Sequence, residues 1–180
     1  MEVHSVDSFL KYFGNIRERT MRLARCVPQD KTEWSFAPGK FTTGDLLRHI
    51  AVTERYLFAD AIESVPSRYT THGPELAAGL ENIIAFIERL HGESLAIFGK
   101  IADADLKRKV RNVGGAEIPI DKWLRSMTEH EIHHRGQLYV YLGILGAQTP
   151  PLFGLTSEEV RARGRVSSSL HNNQPSRTRG

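Results

Sequence analysis

Apolar residues recur along this chain every three or four positions, and four stretches hold that spacing long enough to predict helices with one buried face. The first spans residues 5–26, where Phe9, Phe13, Ile16, Thr20 and Leu23 share a side and Ser5 or Asp7 is placed to cap the start. The second runs from Thr42 or Thr43 to about Ser64. It turns Leu46, His49, Ile50, Thr53 and Leu57 inward, and Asp45 in its first turn suits the helix dipole. A third opens at Pro74 and carries Leu76, Leu80, Ile83, Ile84, Ile87, Leu90 and Phe98. The fourth begins at Asp121 and stops at Gly146. At about 100° per residue, its Trp123, Met127, His130, His134, Gln137, Leu138, Tyr141 and Leu145 fall in a sector about 100° wide.

Proline and glycine mark the connections. Residues 27–40 read as a loop with a short turn, in which Trp34 and Phe36 plug one end of the helix assembly, with the lining of a pocket as the alternative. Residues 64–74 read as a turn-rich linker with a solvated His72. Between the third and fourth helices, Gly114-Gly115 flanked by Val110, Val113 and Ile118 predicts a hairpin or extended arm. Lys107, Arg108, Lys109 and Arg111 make that arm basic, which reads as a solvated face, with an anionic cosubstrate as the alternative. Pro150-Pro151 imposes an extended stretch, and Ser157 caps a short final helix. The expectation is an all-α domain over residues 1–165 and a disordered tail over residues 166–180, which holds too few apolar groups to order.

Composition narrows the function classes. A chain of 180 residues with 40% hydrophobic and 25% charged residues suits one ordinary globular domain. No apolar run is long enough to span a bilayer and the N-terminus lacks the marks of a signal peptide, so the expected compartment is the cytoplasm. A net charge of +3 is too small for a nucleic-acid footprint. The lone Cys26 excludes an internal disulfide and a cysteine metal cluster, and reads as a buried structural thiol.

The fourth helix turns histidines inward. An imidazole in an apolar seam loses hydration, which a hydrogen bond, a neighbour or a metal must restore. His130 and His134 stand one turn apart, a spacing that lets two ring nitrogens reach one cation at about 2.1 Å. Alone, such a pair reads as ordinary core histidines; a third core-facing imidazole, His49 on the second helix, changes the balance toward convergence. His133 points about 90° from the middle of the stripe and reads as a flanking residue or a support for a ligand. Glu129 and Glu131 lie off the stripe, as surface residues or as acceptors for a ligand's other ring N–H.

His49 in the middle of a second helix, then His130-x-x-x-His134-Arg-Gly-Gln running into Tyr141-Leu-Gly-Ile-Leu-Gly and Pro150-Pro-Leu-Phe, resembles the DinB/YfiT-like family of metal-dependent proteins. The resemblance covers residues 5–155 and is most specific from His130 to Phe153. It implies a four-helix bundle, often dimeric, in which three histidines hold a divalent metal and water completes the shell. Carried over residue by residue, the ligands are His49, His130 and His134. Some members are thiol-dependent S-transferases or isomerases and many have no assigned activity, so the resemblance fixes fold and metal better than reaction.

Three neutral imidazoles suit Zn or Ni and leave positions open to water or a substrate atom. The expected function is therefore that of a divalent-metal-binding protein acting on small molecules as a thiol S-transferase or a hydrolase. A low-molecular-weight thiol is its expected cosubstrate and a second copy of the chain its expected partner. Thr53, Gln137 and Tyr141 share the ligand faces and are placed to orient a substrate, but none is a base at neutral pH, so no catalytic residue is assigned. That gap keeps a non-catalytic binding protein, with a role in stress, as the alternative. A bundle whose histidines only satisfy core hydrogen bonds is the third reading.

Overall fold

The structure, a computed structural model, describes residues 2–171, with side chains to residue 164. Helix α1 (Val6–Ala24) is capped by Ser5, whose hydroxyl accepts from the Ser8 amide. Helix α2 covers residues 43–62 and changes character along its length: α-helical Thr43–Thr53, π-helical Glu54–Ala59, then a closing turn Asp60–Ile62. Its cap is Thr42, whose hydroxyl accepts from the Asp45 amide at 2.9 Å while Asp45 Oδ2 accepts from the Thr42 amide at 3.0 Å. The neighbouring Thr43 hydroxyl instead donates to the Thr32 carbonyl at 2.9 Å and ties the preceding loop to the helix.

Helix α3 (Leu80–Phe98) opens at Leu80 rather than at Pro74. Two things hold residues 74–79 out of the helix. The buried Arg48 guanidinium takes the His72 and Ala77 carbonyls at 2.8 and 2.9 Å, and Gly79 sits at φ 79°, outside helical space. The expected hairpin is present as antiparallel β1 (Lys109–Arg111) and β2 (Glu117–Pro119), with Val110 opposite Ile118. Helix α4 (Ile120–Ile144) ends as a left-handed Gly146 lets the Ala147 amide return to the Leu142 carbonyl.

Helices α1 to α4 form a four-helix bundle. Both α1 and α2 pack against α3 and α4, which sets α1 and α2 at opposite corners. Phe9, Phe13, Phe58, Phe98, Trp123, Leu124 and Met127 fill the core at one end. Within it the Trp123 indole donates to the Phe58 carbonyl at 3.1 Å, inside the π-helical stretch where the regular hydrogen-bond ladder is interrupted. Flanked by α1 on one side and α2 on the other, α4 buries a broader face than a single stripe: Leu124, Thr128, Glu131, Arg135 and Leu142 are interior too.

Residues from Pro150 onward form a separate compact unit. Its helix α5 (Ser157–His171) is capped by Thr156 and not by Ser157. Thr156 Oγ1 accepts from the Glu159 amide at 3.2 Å and Glu159 Oε2 accepts from the Thr156 amide at 2.7 Å. The helix continues through His171, past residue 166 where the tail is expected to begin; the rest of that expected tail, residues 172–180, lies outside the described residues. Among the described residues no helix is long and apolar enough to cross a membrane.

Candidate metal centre

The adjacent helices α2 and α4 bring three imidazoles together. One ring nitrogen from each of His49, His130 and His134 can be chosen so that all three lie within 4.8 Å of one another. His49 Nε2 stands 3.0 Å from His130 Nε2. Two bare lone pairs at that distance repel, so a proton or a cation has to lie between them. With bonds of about 2.1 Å, two ligand nitrogens are about 3.0 Å apart at a right angle and about 3.4 Å apart at a tetrahedral one. The observed separation and the all-imidazole donor set therefore fit a divalent metal ion.

The outer ring nitrogens are also engaged. His134 Nδ1 lies 2.7 Å from Gln137 Oε1, an acceptor, which leaves His134 Nε2 bare. His49 Nδ1 lies 3.0 Å from Tyr69 Oη. Burial, then the neighbouring His130 and His134 rings, pushes His49 down from 6.5 to about 3. Burial, then His134, takes His130 down to about 4. His134 is lowered by burial as well, against the pull of Gln137. All three rings are thus neutral at neutral pH, the form that can donate a lone pair to a metal.

Three residues that the periodicity passed over complete the surroundings. His72 is not solvated: its ring packs 4.4 Å from Phe41 and 5.7 Å from His49, and its Nδ1 lies 3.2 Å from Tyr69 Oη. Phe41 packs against His49, His72 and His134 together. These side chains come from loops, where no helical spacing marks an inward position. The available signal was chemical, a tyrosine and a histidine three residues apart in a linker otherwise made of turn formers.

A cavity of about 420 Å³ opens onto His134, lined by Phe36, Gly39, Lys40, Phe41, Gln137 and Tyr141. Phe36 takes the alternative role, lining a pocket rather than plugging an end: it is 52% exposed and meets Tyr141 edge-on at 5.5 Å, forming a wall of this cavity. Trp34 packs on the same Tyr141 ring. Thr53 approaches His49 Nδ1 only to 3.5 Å, and His133 is exposed with its ring 4.9 Å from that of His134. A second cavity, of about 430 Å³, lies between the hairpin, Leu57 and Trp123, and none of the three histidines lines it.

Glu131 departs from its expected place. It is 2% exposed, on the flank of α4 that faces α1, where it accepts from Thr20 at 2.6 Å and lies 2.9 Å from Arg17 Nη2. Arg17 also pairs with Glu54, which in turn meets His91 Nδ1 at 2.9 Å. Glu129 is exposed and pairs with Arg125. Cys26 is half-buried; its thiol donates to the Arg22 carbonyl, and burial raises its pKa, away from a reactive thiolate. The basic arm is balanced locally, Lys107 by Asp121 at 2.6 Å and Lys109 and Arg111 by Glu117 at 3.7 and 3.8 Å.

Residues 12–138 match the DinB superfamily, more than half of the chain. The chain belongs to this superfamily. It is 26% identical over 150 residues to the uncharacterized protein YjoA of Bacillus subtilis (strain 168), covering 82% of this chain and 95% of that relative. The crystal structure of a DinB-like protein from Bacillus cereus ATCC 10987 superposes with a TM-score of 0.71 at 20% identity, covering 82% of this chain and 97% of that one. A mutant of the mycothiol-dependent maleylpyruvate isomerase superposes with a TM-score of 0.52 at 14% identity, covering 72% and 60%. These superpositions show a shared fold.

Proposed function

We propose that His49, His130 and His134 hold one divalent ion, Zn or Ni, and that the protein uses it in a thiol S-transfer or hydrolysis on a small molecule entering beside His134. The convergence of three neutral imidazoles carries this reading. Such an ion, when bound, acts as a Lewis acid and stabilises the anion of a thiol or of water held next to it. The protein's own share is to bind and orient. Phe36 and Phe41 wall the cavity and exclude water from one side, while Gln137 keeps the His134 ring in place. Lys40, with no ion pair among the described residues, offers positive charge at the mouth.

A low-molecular-weight thiol as cosubstrate fits a centre whose ligands are all neutral, since the positive charge is left for an incoming anion to balance. The mycothiol dependence of the isomerase that shares this fold supports the same direction. Ile132, Tyr139, Val140 and Ile144 leave an exposed apolar stripe on α4, which suits a second copy of this chain as partner. A cytoplasmic location goes with a thiol cosubstrate, because such pools are kept reduced there.

The cavity by His134 has no carboxylate in its lining, and this favours a second reading in which the protein binds a metal or small ligand without turnover. Metal analysis of protein purified without chelator tests the first claim. Stoichiometric metal in the wild type and its loss in His130→Ala and His134→Ala is the expected result; undiminished metal in those variants refutes the site. A panel of small thiols with electrophilic acceptors then separates the two readings. Metal-dependent product supports the enzyme, and binding without product supports the carrier.

A further inference from the structure

Three imidazoles do not by themselves decide which of their nitrogens are bare, and the linker between α2 and α3 supplies what His49 lacks. We propose that Tyr69 and His72 are positioning residues that fix the tautomer of His49, keeping Nδ1 protonated and Nε2 free for a divalent cation. This rests on the reading of the three histidines as a metal site.

A phenol beside an imidazole nitrogen can donate or accept, so contact alone settles nothing. Tyr69 Oη lies 3.0 Å from His49 Nδ1 and 3.2 Å from His72 Nδ1, and it has one hydrogen to give. When that hydrogen goes to His72, the phenol oxygen accepts from His49 Nδ1–H, and His49 Nε2 is left bare toward His130 Nε2. When it goes to His49, the order reverses: His72 Nδ1–H donates to Tyr69, and His49 Nε2 carries a hydrogen where the cation belongs. Each arrangement gives one of these two rings the Nε2 hydrogen that histidine prefers in water, so the preference cancels between them and His130 breaks the tie. With its own hydrogen on Nε2, His130 donates across 3.0 Å to His49 Nε2, which is then bare. His130 and His72 in the commoner form together hold His49 in the rarer one, His72 acting through the phenol.

The contrast with His134 shows why two residues are needed. Its Nδ1 meets an amide oxygen, which only accepts, so one partner suffices. The linker that carries Tyr69 and His72 is also fastened to the helix that bears His49. Arg48, fully buried and held by Glu33 and Asp45, grips the His72 carbonyl at 2.8 Å. At the linker's other end, Asp60 accepts from the Arg68 amide at 3.1 Å and pairs with its guanidinium at 2.7 Å. Phe41 packs on the His72 and His49 rings together and holds their mutual placement.

Nitrogen–proton correlation spectra of the imidazole rings in metal-free wild-type protein read the tautomer directly. The expected result is His49 with its hydrogen on Nδ1; a hydrogen on Nε2 overturns the proposal without any variant being made. His72→Phe keeps an aromatic ring against Phe41 and removes the acceptor. It is expected to move the His49 hydrogen to Nε2 and to weaken zinc binding, read by competition with a chromophoric chelator, by about 10–100-fold. Tyr69→Phe weakens zinc binding too, and in that background His72→Phe adds nothing further. Zinc affinity unaltered by His72→Phe overturns the role of His72. A wild-type protein that binds no zinc removes the metal reading instead, and the tautomer measured without metal still decides what Tyr69 and His72 do.

Discussion

Helices α2 and α4 each carry polar groups on two flanks, and the two sets are solved in opposite ways. On one flank, His49, His130 and His134 are neutral and half-buried, and a cavity opens onto His134. On the other, Glu54 and Glu131 are each 2% exposed and share one guanidinium, that of Arg17 on α1, itself 5% exposed. Arg17 bridges helices at opposite corners of the bundle, while Thr20 and His91 add hydrogen bonds from α1 and α3. Burial pushes the Glu54 carboxyl up, but Arg17 and His91 together bring it below its ordinary value. For Glu131 burial prevails and its pKa is raised. The closed cluster holds the bundle together; the open one keeps lone pairs unspent for something that arrives from outside.

Removing Arg17 tests the closed cluster most severely. Arg17→Met leaves buried carboxylates without their cation and is expected to cost about 3–5 kcal/mol in chemical denaturation. A cost below about 1 kcal/mol would show that the cluster is not a structural centre. The histidine flank should answer differently. His130→Ala with His134→Ala is expected to abolish metal binding while costing the metal-free fold much less than Arg17→Met, on the order of 1 kcal/mol. Equal losses of stability at the two flanks would erase the distinction between them.

Acid sharpens the same contrast. Folding lowers the proton affinity of His49 and His130 from 6.5 to about 3 and about 4, so below pH 6.5 the unfolded chain binds more protons than the folded one. The histidines' contribution to the stability of the metal-free protein is therefore complete above that pH and is lost as it falls through about 4 and then about 3, with Glu54 contributing in the same direction at the acid end. Thermal melts across that range with and without zinc measure it, and a flat profile without metal contradicts the neutral state assigned to the rings. The smallest effect is expected at Glu131. Its Oε2 is close to Arg17 but off the direction of the N–H bonds and makes no hydrogen bond, so Glu131→Gln should cost below about 1 kcal/mol.

Much of this was legible in the sequence, for a reason that the two flanks make plain. Helical period is local, so Phe9 to Leu23 and Trp123 to Tyr141 declared their inward faces, and His49, His130 and His134 fell on faces that do meet. The same period misled at Glu131, because a helix touched by two neighbours buries two flanks and only one of them was apolar enough to read. Pro74 misled in a different way: it is a good first-turn residue, but Arg48 had already claimed the carbonyls beside it.

The sequence by itself determined four amphipathic segments, a glycine hairpin and three histidines turned toward the interior, since each depends on residues within a turn or two of one another. The tertiary structure alone decided that Arg17 closes a charge cluster with Glu54 and Glu131, that Phe36 walls a cavity, and that Tyr69 and His72 stand behind His49. Those contacts join residues far apart in the chain or carried on loops. Their energies come from burial and from the direction of hydrogen bonds, neither of which exists until the helices have packed.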